Sequence, residues 1–196
     1  MGKTATKLDR SEVVSVAREL VRREGPDALT MRRLATALDV GTPTIYWHVG
    51  SRDELVAAVI DAQAERLAER PVEGRTARDR VLAAATHIYA GAVEERAITS
   101  LAHQTGTSAR LLAGLEAALV VELEAAGLRG AALADAIRSI LVVVTGSLVL
   151  TLRDYATRPG DRDAALWSGC DLEVLTTETL RAVVDRHVPS TKRSRS

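Results

Sequence analysis

Residues 30–54 read TMRRLATALDVGTPTIYWHVGSRDE, and the fold turns on this stretch. Met31, Leu34, Ala35 and Leu38 fall at i, i+3, i+4 and i+7, one apolar face of a helix. Thr30 stands where an N-cap hydroxyl accepts a backbone N–H. Asp39, Val40 and Gly41 interrupt that helix. The expectation is that Gly41 supplies the backbone angles of a sharp turn. Thr42 then caps a second helix and Pro43 takes its first position, where a missing N–H costs nothing. That helix, about 43–48, is short. Ile45 and Val49 are its evident core residues, whereas Thr42, Thr44, Tyr46, Trp47 and His48 carry hydroxyl, methyl, aromatic and imidazole groups. Two short helices joined by a tight turn, the second rich in bonding and stacking groups, form the pattern of a helix-turn-helix that enters the DNA major groove.

The surrounding chain is helical by the same reasoning. Asp9 and Glu12 have capping-box spacing at the start of helix 1, whose apolar face is Val13, Val16, Ala17, Leu20 and Val21, and Gly25-Pro26 ends it. Ser51 and Glu54 form a second box opening helix 4, which runs to about Glu69. Pro71–Arg75 is a natural boundary. Beyond it, helices are expected over about 76–95, 98–104, 108–126, 131–156 and 168–188, with Gly127 stopping the third of these, a charged loop at 157–165 and a basic tail. No strand pattern or internal repeat appears. The fold class is therefore all-α: an N-terminal three-helix helix-turn-helix domain and a C-terminal helical domain. The expected divisions are 1–52 for a basic arm and DNA-binding domain, about 51–69 for the connecting helix 4, 70–190 for the second domain and 191–196 for the tail.

Composition narrows the function classes. Residues 1–52 hold nine Lys/Arg against six Asp/Glu, and Lys192, Arg193 and Arg195 are clustered in the tail, so a formally neutral chain has basic ends and an acidic body. That distribution suits a protein that meets phosphate at one end. The lone Cys170 excludes an intramolecular disulfide. Gly2 to Arg10 is polar, with no signal-peptide pattern, and the apolar run 140–152 is short for a bilayer, so the expected setting is the cytoplasm, away from membrane. No nucleophile elbow, Gly-rich phosphate loop, zincin motif or Cys/His metal set occurs. No enzyme, cofactor or metal is expected, and Glu94, Glu95, Glu122 and Glu124 read as solvated helix faces.

The residues LTMRRLATALDVGTPTIYWHVGSRDELV resemble the DNA-binding core of the TetR family of bacterial transcriptional repressors, and the run Tyr46-Trp47-His48-Val49 is similar to the tetracycline-repressor branch. The resemblance covers about residues 10–60. It implies DNA contacts at Thr30, Arg32, Thr42, Pro43, Thr44, Tyr46, Trp47, His48 and Arg52. Thr42, Thr44, Tyr46 and Arg32 are the candidates for base edges, because Thr and Arg can bond them directly. Tyr46, Trp47, His48 and Arg52 are candidates for phosphate. Trp47 has a rival reading as a core anchor, and Pro43 serves the helix first.

A short recognition helix reads few base pairs, so a homodimer on a palindromic double-stranded operator is expected, joined through helices 8 and 9 as a four-helix bundle. The resemblance further implies a small-molecule effector between helices 5 and 8. The polar candidates there are His87, Tyr89, His103, Gln104, Arg138, Thr145, Thr151 and Tyr155. The histidine that the tetracycline-binding branch uses near the end of helix 4 corresponds to Ala68, and the chain has no Phe, which favours an apolar or amphipathic effector over a magnesium chelate. The implied function is a ligand-released repressor with helix 4 as lever. The rivals are an activator or effector-independent regulator, and, from another class, a helical small-molecule-binding protein or enzyme without specific DNA binding.

Overall fold

The structure is a computed structural model that describes residues 8–156 and 169–188, with the side chains of 153–156 outside what it describes. Among these residues it is all-α. The helices are α1 (Arg10–Glu24), α2 (Met31–Ala37), α3 (Thr42–Val49), α4 (Arg52–Ala68), α5 (Ala77–Glu94), α6 (Arg96–Gln104), α7 (Ser108–Ala125), α8 (Gly130–Ala156) and α9 (Leu172–His187), with a 3-10 turn at Pro26–Ala28. Of the expected arm (1–8), residues 1–7 lie outside the described residues, as do the charged loop and the basic tail.

Local chemistry sets the helix starts. Asp9 caps α1, its carboxylate accepting the Glu12 N–H at 2.8 Å. At Ser51 and Glu54 the exchange is reciprocal: the Ser51 N–H donates to Glu54 Oε2 at 2.6 Å and the Glu54 N–H to Ser51 Oγ at 3.1 Å. Thr76 and Asp79 repeat this exchange at 3.1 Å each way. For α9 the expected start at Ser168 is corrected, because Asp171 is the cap and accepts from the N–H groups of Glu173 and Val174.

The turn inside residues 30–54 also differs from expectation. Its left-handed residue is Asp39 (φ 54°), not Gly41, which is extended at φ −73°. The Val40 N–H donates to Ala35 O at 3.0 Å and the Asp39 N–H to Thr36 O at 3.3 Å, the two bonds of a Schellman motif, so the α2 carbonyls are satisfied one step earlier than a Gly41 turn would allow. Aspartate tolerates this conformation better than most side chains. Consequently Gly41 is the N-cap of α3, and Thr42 and Pro43 are its first two helical residues; at both positions the N–H lacks an intrahelical partner, so the proline is tolerated.

The chain gathers into two compact units, one built from residues up to Glu65 together with Glu95–Leu111, the other from Arg66–Glu94 and Leu112 onward. In the first, α1, α2, α3, the start of α4 and α6 surround a core that includes Val13, Ala17, Leu34, Ile45, Leu55 and Ile98. Glu95 is no solvated face here: its carboxylate accepts from Arg18 Nη2 at 2.8 Å and Arg22 Nε at 3.0 Å, tying the start of α6 to α1.

In the second unit α5, α8 and α9 pack together, with the rows Ala136, Ile140, Val144, Leu148 and Leu180, Val184, Val188 in its core. Those rows step by four residues, which buries one stripe of each helix. The last turn of α4 lies close to α5 and α7. A Cβ on Gly91 would run into Leu67, and one on Gly114 would come within 3.2 Å of the Ala68 Cβ. Glu122, also expected in solvent, pairs with Arg80 at 2.7 Å, and Glu94 pairs with Arg70. Among the described residues α8 is not covered on every side, since Val142 is 72% exposed and Val149 37%. Residues 130–152 of α8 are long and apolar enough to cross a membrane by length and composition, more than the run 140–152 suggested, but four positions on this helix are taken up by the core.

Candidate nucleic-acid interface

Helix α3 has two faces set by its sequence. Ile45 and Val49, four residues apart, are 0% and 1% exposed and anchor the helix in the core of the first unit. Tyr46 (50% exposed) and Trp47 (79%) turn outward, and Pro43, three and four residues before them, is exposed with them. The rival reading of Trp47 as a core anchor is thereby excluded. Two large aromatics in solvent on an eight-residue helix are costly unless something covers them, which makes the face a candidate binding surface. Thr42, Thr44 and His48 are half-buried along its flanks.

Neighbouring elements hold this face in place. Gly50 closes α3 at φ 73°, ψ −121°, where an L side chain is strained, and its N–H donates to Tyr46 O at 2.8 Å. A Cβ there would also meet the Glu54 carboxylate. Arg52 donates from Nε to the Leu29 carbonyl at 3.3 Å, so part of its guanidinium already fastens the start of α4 to the loop before α2. Thr30 caps α2, accepting the Arg33 N–H at 3.2 Å. Arg32 is exposed and has no ion-pair partner among the described residues, whereas Arg33 is held by Glu24. The His48 ring lies edge-on to Trp47, centroids 4.7 Å apart at 83°. Hydrogen bonds from the Glu12 N–H and from Ser11 hold the Asp9 carboxyl below the usual carboxylate range, with the charge of His48 a smaller cause. No side chain caps α3; Pro43 has no N–H and the Thr44 N–H donates to Gly41 O at 3.0 Å, which leaves the Thr42 N–H to solvent or an anion. The arrangement can meet a phosphate backbone and present hydroxyl and aromatic groups to a groove.

The residues considered for an effector are not gathered in one place. Tyr89 and Thr151 come together, hydroxyl to hydroxyl at 3.1 Å, buried between α5 and α8. On α5, the buried His87 Nδ1 has no hydrogen-bond partner among the described residues. Arg138 is exposed and pairs with Asp135, and Thr145 is exposed. His103 and Gln104 are exposed and belong to the first unit, and Gln104 bonds Ser100 one turn back at 3.3 Å. The Tyr155 side chain lies outside the described residues. Sequence reasoning missed Asp39, Leu29 and Glu95 as parts that hold the helix-turn-helix. An Asp at the end of a helical period was a signal for the first; nothing local pointed to the other two.

Comparison with known proteins agrees with this geometry. The model of bacterial regulatory proteins of the tetR family matches residues 13–59. The tetracycline repressor protein class D of Escherichia coli is 42% identical over 53 residues, 27% of this chain and 24% of that protein. Aligned stretches span 34% and 27% of two further curated relatives. The fold likeness extends further. A TetR variant from Acinetobacter baumannii AYE in complex with minocycline has a TM-score of 0.67 at 23% identity, over 94% of this chain and 100% of that one. BioQ with its natural double-stranded DNA operator has a TM-score of 0.66 at 23% identity, over the same shares. Residues 13–59 thus match the tetR family of bacterial regulatory proteins, over the stretch that carries the helix-turn-helix, and the chain as a whole shares the fold of solved TetR structures.

Proposed function

We propose that the chain acts in the cytoplasm as a repressor, without catalytic activity of its own. As a homodimer it holds a palindromic operator and releases it when a small molecule binds. The observation that carries the DNA half is the two-faced α3: Ile45 and Val49 fully buried, Tyr46 and Trp47 in solvent. In this reading Thr42, Thr44 and Arg32 face base edges, while Tyr46, Trp47, His48 and Arg52 meet phosphate. The operator in the BioQ complex supports it by likeness of fold.

The homodimer is supported by an apolar surface that one chain leaves bare: Val142 and Val149 on α8, seven residues apart, and Val174 and Leu175 on α9. Gly146 lies between the two valines in sequence, and a Cβ there would meet no other part of the described residues within 4 Å. A second copy would cover this surface and set two recognition helices about 34–36 Å apart, one DNA turn.

Tyr89, Thr151 and His87 are among the polar groups inside the second unit, and their apolar setting suits an apolar or amphipathic molecule. The minocycline complex supports a small-molecule site in this fold. Release is a population shift: the effector favours a conformation in which the two recognition helices no longer match adjacent grooves, with α4 as the lever. Residues 1–52 would form the DNA-reading part and 70–190 the part that senses and dimerises.

The test is selection of bound sequences from a random duplex pool at near-physiological salt. An enriched palindrome, lost in Thr42→Ala or Tyr46→Ala, is the expected result. A pool with no enriched sequence overturns the reading.

A further inference from the structure

Helices α1 and α4 leave an open cleft of about 510 Å³ in the first unit, away from the exposed aromatics of α3. Each helix contributes a row at i, i+3, i+4 and i+7, so the cleft is lined by one regular face of each. Its floor is shallow and apolar: Val14 from α1, Ala58 and Ala62 from α4. The hydroxyls of Ser11 and Ser15 line the α1 wall. All these side chains are short, so the space is not filled from within the chain, and its size is that of a small-molecule site.

The charges around the cleft are segregated. The α1 wall carries Arg10 and Arg18, the α4 wall Asp61 and Glu65. Two of the four are already neutralised. Arg18 gives Nη2 to Glu95 at 2.8 Å, and both Asp61 oxygens accept from Arg110 Nη1 at 2.7 Å. Among the described residues, Arg10 and Glu65 have no ion-pair partner, and the Arg18 Nε–H is buried without an acceptor. Arg10 and Glu65 therefore offer one cation without an ion-pair partner on the α1 wall and one such anion on the α4 wall.

We infer that this cleft binds an amphoteric organic molecule of the amino-acid or short-peptide class. Its carboxylate lies toward Arg10, its amine toward Glu65, and its short apolar body rests on Val14, Ala58 and Ala62, within reach of a carbonyl or carboxylate oxygen for Arg18 Nε. A purely anionic ligand would face Glu65, and a purely cationic one Arg10, so charge at both ends is what the walls select. This inference does not rest on the DNA-binding reading.

The test is NMR titration of the full-length protein with three probes of one size: the dipeptide leucyl-alanine, its N-acetylated form (anion only) and its amide (cation only). Saturable shifts at the amides of Ser11, Ser15, Ala58 and Ala62 are expected with the dipeptide, at millimolar concentrations. Each half-charged analogue should bind roughly 2- to 5-fold more weakly, the effect of losing one solvent-exposed ion pair. Glu65→Gln should erase the preference over the anionic probe and Arg10→Gln the preference over the cationic one, with thermal unfolding confirming that both variants fold. No saturable shift at these amides, or equal binding of all three probes, overturns the inference.

Discussion

Arg18 Nη2 stands 2.8 Å from Glu95 Oε1, although the residues are 77 positions apart, and their side chains are only 16% and 17% exposed. Arg22 Nε meets the second Glu95 oxygen at 3.0 Å. This cluster binds α6 to α1, and α1 in turn packs on α2 and α3. Removing one partner from a buried pair costs about 3–5 kcal/mol, whereas exposed pairs are worth about 0–1. For this mostly buried pair, Glu95→Gln should cost about 2 kcal/mol, read as a lower urea midpoint at unchanged slope. The double variant Arg18→Met/Glu95→Leu should recover part of the loss, because no buried charge is left uncompensated and the half-exposed Arg22 keeps Glu19. A Glu95→Gln midpoint equal to wild type would show the pair to be energetically silent.

Asp39 adopts φ 54° at the end of α2, with its carboxylate beside the negative end of that helix. Both features are mildly unfavourable. Asp39→Gly relieves the backbone but loosens the unfolded chain, for a net gain of roughly 0.5 kcal/mol. Asp39→Asn should gain a few tenths, roughly 0.3 kcal/mol, by removing the charge. Asp39→Ala should lose about 1 kcal/mol, since alanine lacks the local tolerance of aspartate for this region. The order Gly, Asn, wild type, Ala in thermal midpoint is the expected outcome, and an Ala variant above wild type would contradict it.

Acid should weaken the helix starts. Hydrogen bonds from the Ser51 N–H and hydroxyl hold the Glu54 carboxyl below its ordinary value, bonds from Thr76 do the same for Asp79, and bonds from Glu12 and Ser11 for Asp9. Each group binds its proton more weakly folded than unfolded. Its contribution is therefore present above the unfolded pKa, about 4, and is lost as pH falls through the lower folded value. Thermal midpoints should hold from pH 7 to about 5 and fall below that. Glu54→Gln should lower the midpoint at pH 7 and converge on wild type in acid. A constant difference across this range would mean that Glu54 acts through packing rather than ionisation.

These features were not equally legible in the sequence. The box Ser51/Glu54, the Asp9 cap and the buried pair Ile45/Val49 depend on residues within a turn or two, so spacing alone points to them. The α2–α3 turn was located correctly, but its left-handed residue was assigned to Gly41 because glycine is the default there; the ladder of bonds to Ala35 and Thr36 puts Asp39 in that role. Glu95 and Glu122 read as solvated because a charge on a helix face has no visible partner until packing brings one. Of the effector candidates whose side chains are described, Tyr89 and Thr151 meet, since polar residues inside apolar runs do not say which face of the helix they share.

Val142 and Gly146 test the second copy. Val142 is 72% exposed and Gly146 has open space around it, so Val142→Asp and Gly146→Leu should leave the single chain folded. Helix propensity alone favours leucine over glycine by roughly 0.8 kcal/mol. If α8 and α9 join two chains, the wild type should weigh twice 21.0 kDa in light scattering, and both variants should shift toward the single-chain mass. A wild type that remains at the single-chain mass at micromolar concentration would remove the dimer from the proposal.

Ile45, Tyr46 and Trp47 are consecutive, and together they separate fold from function. Ile45 is fully buried, so Ile45→Ala should cost about 2–5 kcal/mol through lost burial and the cavity left behind. Trp47 is 79% exposed and Tyr46 50%, so their alanine variants should stay within about 0.5–1 kcal/mol of wild type. DNA affinity should respond in the opposite sense. Trp47→Ala and Tyr46→Ala should weaken operator binding about tenfold, the equivalent of about 1.4 kcal/mol. Because neither side chain is charged, the dependence of affinity on salt should keep its slope, whereas Arg52→Gln should reduce the slope by about 0.9 if its guanidinium neutralises one phosphate. If Trp47→Ala and Tyr46→Ala both left affinity and selectivity intact, the exposed face of α3 would not be the DNA-reading surface, however well the helix-turn-helix is folded.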